Sequence, residues 1–306
     1  MSKSMKHCIK RINDYLIYNK MPKNSKPAKF RSVSYKVDPT LPNGVYDVMS
    51  WINRSSEELE RTLTSWSSEW VNTAHDLTIL LVKSSPKSEF FNATVAEEHL
   101  IYTAYQCNVH GDKPSECTMK QFSRFLVETP FNEVPECSQM DEYPSFGAYH
   151  MQFRIDKRLI AVSVIDILPN SVSSVYCFYD PAFSFLNLGT FTALVEIALS
   201  RVLKPFIPSL DFYYMGYFIN TCQKMKYKGN FGPAFLLCPE SMKWQPLSSS
   251  LQQIEKAQNK YTRLDTDDSA VDEDGEQAKQ LVRHSRNIPS VAAKLLGLLI
   301  SELEFV

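Results

Sequence analysis

The sequence predicts an α+β domain with a mixed sheet flanked by helices, preceded by a partial helical region. Apolar runs at residues 76–83, 147–155, 158–167 and 173–179 are typical of strands. Amphipathic repeats at 94–106 and 118–126 are typical of helices. A further helix at 185–203, placed between two strands, predicts one right-handed β–α–β crossover.

Composition divides the chain into three parts. The 306 residues are 44% hydrophobic and 12% aromatic, enough for one large core. We predict a remnant amino-terminal region at 1–74, the main domain at 75–247, and an acidic linker with a final helix at 248–306. Between Lys3 and Lys36 there are ten basic residues and one carboxylate, whereas residues 265–276 carry seven carboxylates and no base. This segregation predicts an amino end that faces a polyanion and a solvated acidic segment.

The targeting and cysteine patterns predict a soluble intracellular protein, cytoplasmic or also nuclear. The amino terminus is basic without an apolar run, and the apolar run at 291–300 is too short to span a bilayer. Seven cysteines are an odd number, and no two of them form a C-x-x-C pair. Reduced thiols and no metal site are therefore expected.

The amino-terminal half predicts helices and turns. Residues 2–18 form a basic amphipathic helix pattern, residues 19–42 a proline-rich linker, and residues 46–70 a second helical pattern. The helix at 94–106 is expected to face the core through Ala96, Leu100, Ile101, Ala104 and Tyr105.

Two polar residues mark turns after this helix. His110 lies at a helix end before Gly111, either as a site residue or, with equal weight, as a surface residue that caps the helix. Thr118 is the predicted N-cap of the next helix.

The strands that follow set the predicted topology. Asp156-Lys157 is a short hairpin turn between the strands at 147–155 and 158–167. The order of elements matches the acetyltransferase-like (GNAT) architecture, in which the helix after the central strand receives a pyrophosphate at its amino terminus. Leu188 and Gly189 occupy that place, but the glycine-rich acetyl-CoA signature is missing, which disfavours an acyl-CoA-dependent acetyltransferase.

A basic run follows the last predicted strand. Residues 212–219 read as a buried strand, and Lys224, Lys226 and Lys228 come on alternate positions after it. Three ammonium groups at this spacing can line one groove and meet a phosphate backbone. An edge strand protected by lysines explains the pattern equally well.

Several segments together resemble one family, the arginyl-tRNA–protein transferases. They are Tyr105-Gln106 with Val109-His110, and residues 121–126, 159–169, 173–176, 179–181, 188–189, 213–228 and 236–239. Enzymes of this family move arginine from charged tRNA to the α-amine of proteins that begin with Asp, Glu or oxidised Cys, in the N-degron pathway. The resemblance covers residues 75 to about 244 and implies arginyl-tRNA, acidic amino termini and the ubiquitin-ligase pathway as partners.

Two departures from the family qualify what the resemblance implies. The family's cysteine-rich amino-terminal region, proposed to hold a metal or iron–sulfur cluster, has no counterpart here, so no cofactor is expected on these residues. Asn220 stands where the family often has His, and an amide cannot titrate near neutral pH. An active transferase and a non-catalytic module that binds tRNA or acidic amino termini both remain open.

The reaction that the resemblance implies needs a neutral α-amine, a stabilised oxyanion and a cation for the acceptor's acidic side chain. Asp166 is the candidate to accept or relay the proton, with a structural aspartate as the alternative. Arg124 is the candidate cation, with a solvated helix-face arginine as the alternative.

The remaining site predictions also follow from the resemblance. Tyr149 and Ser174 are candidate catalytic hydroxyls, although core residues are the more common explanation for any one tyrosine. The predicted substrate contacts are His110, Tyr176, Leu188, Gly189, Tyr214 and Asn220. The predicted tRNA contacts are Lys224, Lys226 and Lys228.

Overall fold

The computed structural model describes residues 3–21, 41–54, 74–131, 143–238, 240–256 and 263–265. Its strands are β1 (Val45–Asp47), β2 (Leu77–Lys83), β3 (Gly147–Ile155), β4 (Arg158–Ile167), β5 (Ser171–Tyr179), β6 (Phe212–Tyr214), β7 (Phe235–Leu237) and β8 (Trp244–Pro246). Its α-helices are α1 (Lys3–Tyr18), α2 (Val48–Arg54), α3 (Glu89–Tyr105), α4 (Met119–Phe122), α5 (Leu188–Leu203), α6 (Gln223–Lys226) and α7 (Leu247–Lys256).

One six-stranded sheet, in the order β1-β2-β3-β4-β5-β6, organises the domain. Every neighbouring pair is antiparallel except β5 and β6, which run parallel. The helix α5 connects these two strands in the sequence. The predicted hairpin turn is confirmed, because Asp156 and Lys157 both have positive φ, at 48° and 66°, as a two-residue turn between twisted strands requires. A separate ladder joins β7 and β8.

Helices cover both faces of the sheet. On one face α1, α2 and α5 share a core with strand residues such as Tyr149, Ile165 and Tyr213. On the other face α3, α4 and the turn after α4 pack over Val162, Val164 and other strand residues. The predicted α+β class, a mixed sheet flanked by helices, is confirmed, and the order of elements fits an acetyltransferase-like fold.

The predicted buried face of α3 was wrong at Ala96 and Leu100, which are exposed, whereas Ile101 and Tyr105 pack against the core. The helix begins at Glu89, where the Ser88 side chain accepts a hydrogen bond from the Phe91 N–H. Its buried residues are Phe91, Thr94, Glu98 and Tyr102, whereas Leu100 is 70% exposed. The sequence pattern failed because two polar side chains, Thr94 and Glu98, occupy core positions.

The segments on either side of α3 and α5 differ in detail from the predictions. A π-helical turn, Gln106–His110, extends α3 to Gly111, whose φ is 79°. Thr118 is confirmed as an N-cap, and a second π-helical turn, Ser123–Val127, continues α4. The predicted helix at 185–203 divides into a 3₁₀ segment, Pro181–Leu186, and α5.

The predicted strand at 212–219 is much shorter in the structure. β6 ends at Tyr214, and Gly216 takes a φ of 74°, which turns the chain out of the ladder. The lysines then lie on α6 and on a 3₁₀ turn, Tyr227–Asn230, rather than on alternate positions of a strand. Their predicted alignment along one groove was therefore wrong.

Other predictions fall outside the described residues. These include most of the linker at 19–42, residues 55–70 of the second helical pattern, all of the acidic segment except Asp265, and the final helix after 278. Among the helices that the structure describes, none is long and apolar enough to cross a membrane.

Candidate functional site

β5 and β6 separate soon after they pair. Their parallel pairing covers only residues 171–173 and 212–214, whereas β5 continues to Tyr179. No strand in the described part of the chain pairs with this edge of β5 beyond Ser173. We call this divergence of the two strands the fork. It exposes backbone and side chains from the middle of the sheet, which makes it the natural place for a site.

A shallow, open cleft lies on the β6 side of the fork. Apolar side chains form most of its wall: Met215, Phe218, Phe231, Phe235, Leu236 and Leu247. Lys228 is the one charged residue among the described residues that line this cleft.

The Lys228 side chain is partly buried and folds back onto the backbone. Its Nζ donates hydrogen bonds to the carbonyl oxygens of Met215, at 2.6 Å, and Tyr217, at 2.9 Å. Burial lowers the pKa of Lys228 to about 8, and the negative charge of Glu196 only partly offsets this effect. The predicted role of Lys228 as a surface contact for tRNA does not agree with this placement.

Glu196 is a fully buried carboxylate behind the fork that sequence reasoning missed. It lies on α5, and the Tyr213 hydroxyl donates a hydrogen bond to its Oε2 at 2.8 Å. Burial raises the pKa of Glu196, while hydrogen bonds from Ser163, Tyr213 and Ser174 and the charge of Lys228 act in the opposite direction. The sequence feature that could have indicated this buried carboxylate is a single acidic residue inside the apolar stretch 193–199 of a predicted helix. Ser174, a predicted catalytic hydroxyl, therefore lies beside this carboxylate.

A second polar group lies on the other side of the fork, and we call it the His110 cluster. Lys224 Nζ donates to the Val109 carbonyl at 2.8 Å and lies 3.2 Å from His110 Nδ1. His110 Nε2 lies 3.4 Å from the Tyr176 hydroxyl, which donates to Gln106 Oε1 at 2.9 Å. Burial and the Lys224 charge lower the pKa of His110, although Asp112 acts against them. His110, Tyr176 and Lys224, predicted separately, are thus brought together.

Arg124 and its neighbour extend this cluster along the surface. Arg124 is exposed on the π-helical turn that follows α4. Phe125, the next residue, packs edge-on against Tyr176 with the ring centroids 5.1 Å apart. Lys226 is also exposed, on α6. The His110 cluster therefore combines one cation, Lys224, with the rings of Tyr176 and Phe125.

The predicted catalytic residues Asp166 and Tyr149 lie on opposite faces of the sheet. Tyr149 pairs with Ile165 across β3 and β4, and consecutive strand residues point to opposite faces. Tyr149 is fully buried, and its hydroxyl donates to the Ser145 carbonyl at 2.9 Å. Asp166 is half-buried on the face of His150, whose pKa its charge helps to raise. The structure does not bring Asp166, Tyr149 and Ser174 together, so their joint role stays a prediction.

The other predicted substrate contacts are dispersed. Leu188 is buried in the core, and Gly189 follows it in the first turn of α5. Cys177 Sγ lies 3.3 Å from Thr192 Oγ1, which puts this turn beside the end of β5. Tyr214 is buried and stacks on Trp244. Asn220 is half-buried, and its Nδ2 lies 3.4 Å from Glu255 Oε1.

A buried polar network between α3 and β3 was also missed. His150 Nδ1 donates to Glu98 Oε2 at 2.5 Å, and its Nε2 donates to the Leu126 carbonyl at 3.0 Å. Gln152 donates to the other Glu98 oxygen at 2.7 Å, and Arg154 donates to Gln152 Oε1 at 2.8 Å. These contacts tie α3 and the turn after α4 to the sheet.

The described residues contain no group of three His, Cys, Asp or Glu side chains that could hold a metal ion. The candidate site consists of two parts, the cleft with Lys228 on one side of the fork and the His110 cluster on the other.

Comparison with known proteins identifies the domain that contains the fork. The family model described as "Arginine-tRNA-protein transferase, C terminus" matches residues 97–238. Arginyl-tRNA–protein transferase 1 of Drosophila melanogaster is 37% identical over 254 residues, which are 82% of this chain and 50% of the relative. The domain that contains the fork is therefore similar to the C-terminal part of arginyl-tRNA–protein transferases.

Other relatives show the same similarity over shorter segments. Arginyl-tRNA–protein transferase 2 of Arabidopsis thaliana is 43% identical over 164 residues, which are 52% of this chain and 27% of that protein. An aspartate/glutamate leucyltransferase of Campylobacter jejuni is 41% identical over 98 residues, which are 32% of this chain and 38% of that protein. The chain spans half the length of the Drosophila arginyltransferase. Both sides of the fork lie within the region that matches the transferase family.

Proposed function

We propose that this chain transfers arginine from arginyl-tRNA to the α-amino group of proteins that begin with Asp, Glu or oxidised Cys. The observation that carries the proposal is the fork, where a segment matched by the transferase family presents an apolar cleft and the His110 cluster. Marking of the acceptors for N-degron, ubiquitin-dependent degradation in the cytoplasm or nucleus is part of the same proposal, as are partners from the ubiquitin-ligase pathway.

The chemistry of the donor explains what this site has to supply. Arginine on tRNA is an activated ester, so transfer requires positioning, a neutral attacking amine and stabilisation of the oxyanion. The aminoacyl end of the tRNA carries phosphates and an unstacked terminal base. Cations and aromatic rings are the groups that bind single-stranded nucleic acid. Lys224 of the His110 cluster and the rings of Phe125 and Tyr176 offer both kinds of group, and the exposed Lys226 on α6 offers a further cation.

The acceptor presents the opposite requirement, because its first side chain is acidic. Arg124 is exposed, and its planar guanidinium suits a bidentate contact with a carboxylate. A charge-reversed variant, Arg124→Glu, should therefore disfavour acceptors that begin with Asp more than it disfavours the binding of tRNA.

The donor experiment incubates the chain with a peptide that begins with Asp and with either arginyl-tRNA or leucyl-tRNA. We expect the peptide mass to rise by one arginyl residue in the first case and to stay unchanged in the second. Transfer of leucine instead would contradict the proposed donor.

A non-catalytic module that binds tRNA or acidic amino termini is the second candidate, favoured by the amide of Asn220 where the resemblance implies a histidine. Binding of tRNA without transfer to any acceptor would establish it in place of the transferase. If Asn220→His then gives transfer, the amide accounts for the inactivity.

A further inference from the structure

Backbone carbonyls hold the Lys228 side chain in the wall of the cleft. Two backbone carbonyls, those of Met215 and Tyr217, accept hydrogen bonds from its Nζ. An ammonium group has three N–H donors, whereas a neutral amine has two donors and one lone pair. The two carbonyls therefore use every donor of the neutral amine and leave its lone pair unoccupied. Both hydrogen bonds survive when Lys228 loses a proton.

The surroundings of Lys228 bring its two protonation states close in free energy. Apolar side chains dominate the cleft wall and disfavour the ammonium form, while the buried carboxylate of Glu196 favours it. The net effect is a pKa of about 8, which is close to the ordinary value of a peptide α-amino group, about 7.7 to 8.0. Proton transfer between groups of matched pKa is nearly isoenergetic.

We propose that Lys228 is the general base that removes a proton from the α-ammonium group of the acceptor, whose amino terminus enters the cleft at the fork. This inference rests on the proposed function. It assigns to Lys228 the role that the sequence assigned to Asp166, and it withdraws Lys228 from the predicted tRNA contacts.

The step balances without any further reactant. The neutral Lys228 amine takes one proton from the acceptor, and the freed α-amine lone pair attacks the ester carbonyl carbon of arginyl-tRNA. The new C–N bond forms, and the C–O bond to the terminal ribose of the tRNA breaks. The second proton of the attacking nitrogen goes to the leaving ribose oxygen, and Lys228 returns its proton to solvent.

Two substitutions separate proton transfer from charge. Lys228→Arg keeps a cation and donors for both carbonyls but cannot release a proton near neutral pH. Lys228→Ala removes the amine and leaves room for a small molecule. The exposed Lys87, in the turn before α3, provides the control Lys87→Ala. Asp166→Asn tests the competing base.

The assay measures kcat/KM for an acceptor peptide that begins with Asp, at saturating arginyl-tRNA. We expect kcat/KM to fall roughly 100-fold or more in both Lys228 variants, which is the lower end of what a general base contributes. The value for Lys87→Ala should be unchanged. Trimethylamine, which cannot be arginylated to an amide, should restore transfer to Lys228→Ala in proportion to its concentration. The loss in Lys228→Arg should shrink for a peptide whose amino-terminal Asp carries a β-fluorine, because fluorine lowers the pKa of the α-amine.

The outcomes that overturn the proposal are distinct. Wild-type rates in Lys228→Arg would show that the residue acts by charge. An equal loss of Lys228→Arg with both peptides, or no rescue of Lys228→Ala by trimethylamine, would show that the residue only shapes the cleft. A larger loss in Asp166→Asn than in Lys228→Arg would return the role to Asp166. Absence of transfer in the wild-type chain would contradict the proposed function itself, whereas the other results contradict only the role of Lys228.

Discussion

Replacement of His150 should destabilise the protein in a way that depends on pH. His150 and Glu98 are both fully buried, and both ring nitrogens of His150 face acceptors, Glu98 Oε2 and the Leu126 carbonyl. Burial alone lowers the pKa of His150, but the charge and the hydrogen bond of Glu98, together with the Leu126 carbonyl, outweigh it and raise the pKa above its usual value.

The magnitude follows from removing one partner of a buried ion pair. His150→Gln should lower the free energy of unfolding by about 3–5 kcal/mol, because it leaves the Glu98 carboxylate buried without its cation. For a domain of roughly 150–250 residues, each kcal/mol shifts the melting temperature by about 2–4 °C, so a fall of roughly 6–20 °C is expected.

The sign of the pH dependence is fixed by the raised pKa. A histidine whose pKa is higher in the folded than in the unfolded state stabilises the protein fully below its unfolded pKa of about 6.5. That stabilisation declines as the pH rises through the folded pKa. The difference between wild type and His150→Gln should therefore be largest near pH 6 and smaller at pH 9.

Urea unfolding at several pH values measures this difference. The control is Thr94→Val, which removes from the same network an acceptor for Gln152 at 2.9 Å but no titratable group. Its loss should be about 1 kcal/mol at every pH. A difference for His150→Gln that grows with pH, or that stays constant, would refute the proposed charge state of the pair.

Three further predictions concern the fork. Lys226→Ala should weaken tRNA binding mainly at low salt. A salt titration of binding should give a slope of log K against log salt concentration that is shallower by about 0.9. An unchanged slope would show that Lys226 does not contact tRNA. Gly216→Ala should lower the free energy of unfolding by about 1–2 kcal/mol, because the backbone φ of 74° at this position is unfavourable for alanine. The added Cβ has room, since it would meet only the Ser174 carbonyl at 3.7 Å and the end of the Lys228 side chain. An unchanged free energy in urea unfolding would contradict the prediction. Glu196→Gln should lower the pKa of Lys228 further below its value of about 8, because it removes a negative charge that favours the ammonium form. The pH dependence of Lys228 acetylation, read by mass spectrometry, measures this pKa. A raised pKa would contradict the prediction.

Local signals in the sequence were sufficient for the elements that depend on neighbouring residues. Thr118 caps its helix through Gln121, three residues away, and Asp156-Lys157 turns a hairpin by backbone conformation alone. The crossover from β5 to β6 followed from the order of elements and from the general handedness of such connections.

The parts that failed depend on partners distant in sequence. Glu98 is buried on α3 because His150, 52 residues away, pairs with it, so the apolar pattern indicated only part of the buried face. The strand at 212–219 stops early because Gly216 turns the chain and Lys228 takes two of the carbonyls that a ladder would have used. Alternation along β3 and β4 separated Asp166 from Tyr149, and Glu196 looked like one acid in an apolar helix. Only the packed structure shows which of these polar groups meet.

The most direct test of the account is the choice of acceptor. Labelled arginyl-tRNA is incubated with this 306-residue chain and with peptides that differ only at the amino terminus, which is Asp, Ala or Nα-acetylated Asp. We predict label on the Asp peptide and none on the other two, because transfer needs both an acidic first side chain and a free α-amine. Equal labelling of the Asp and Ala peptides, or no label on any of them, would contradict the account.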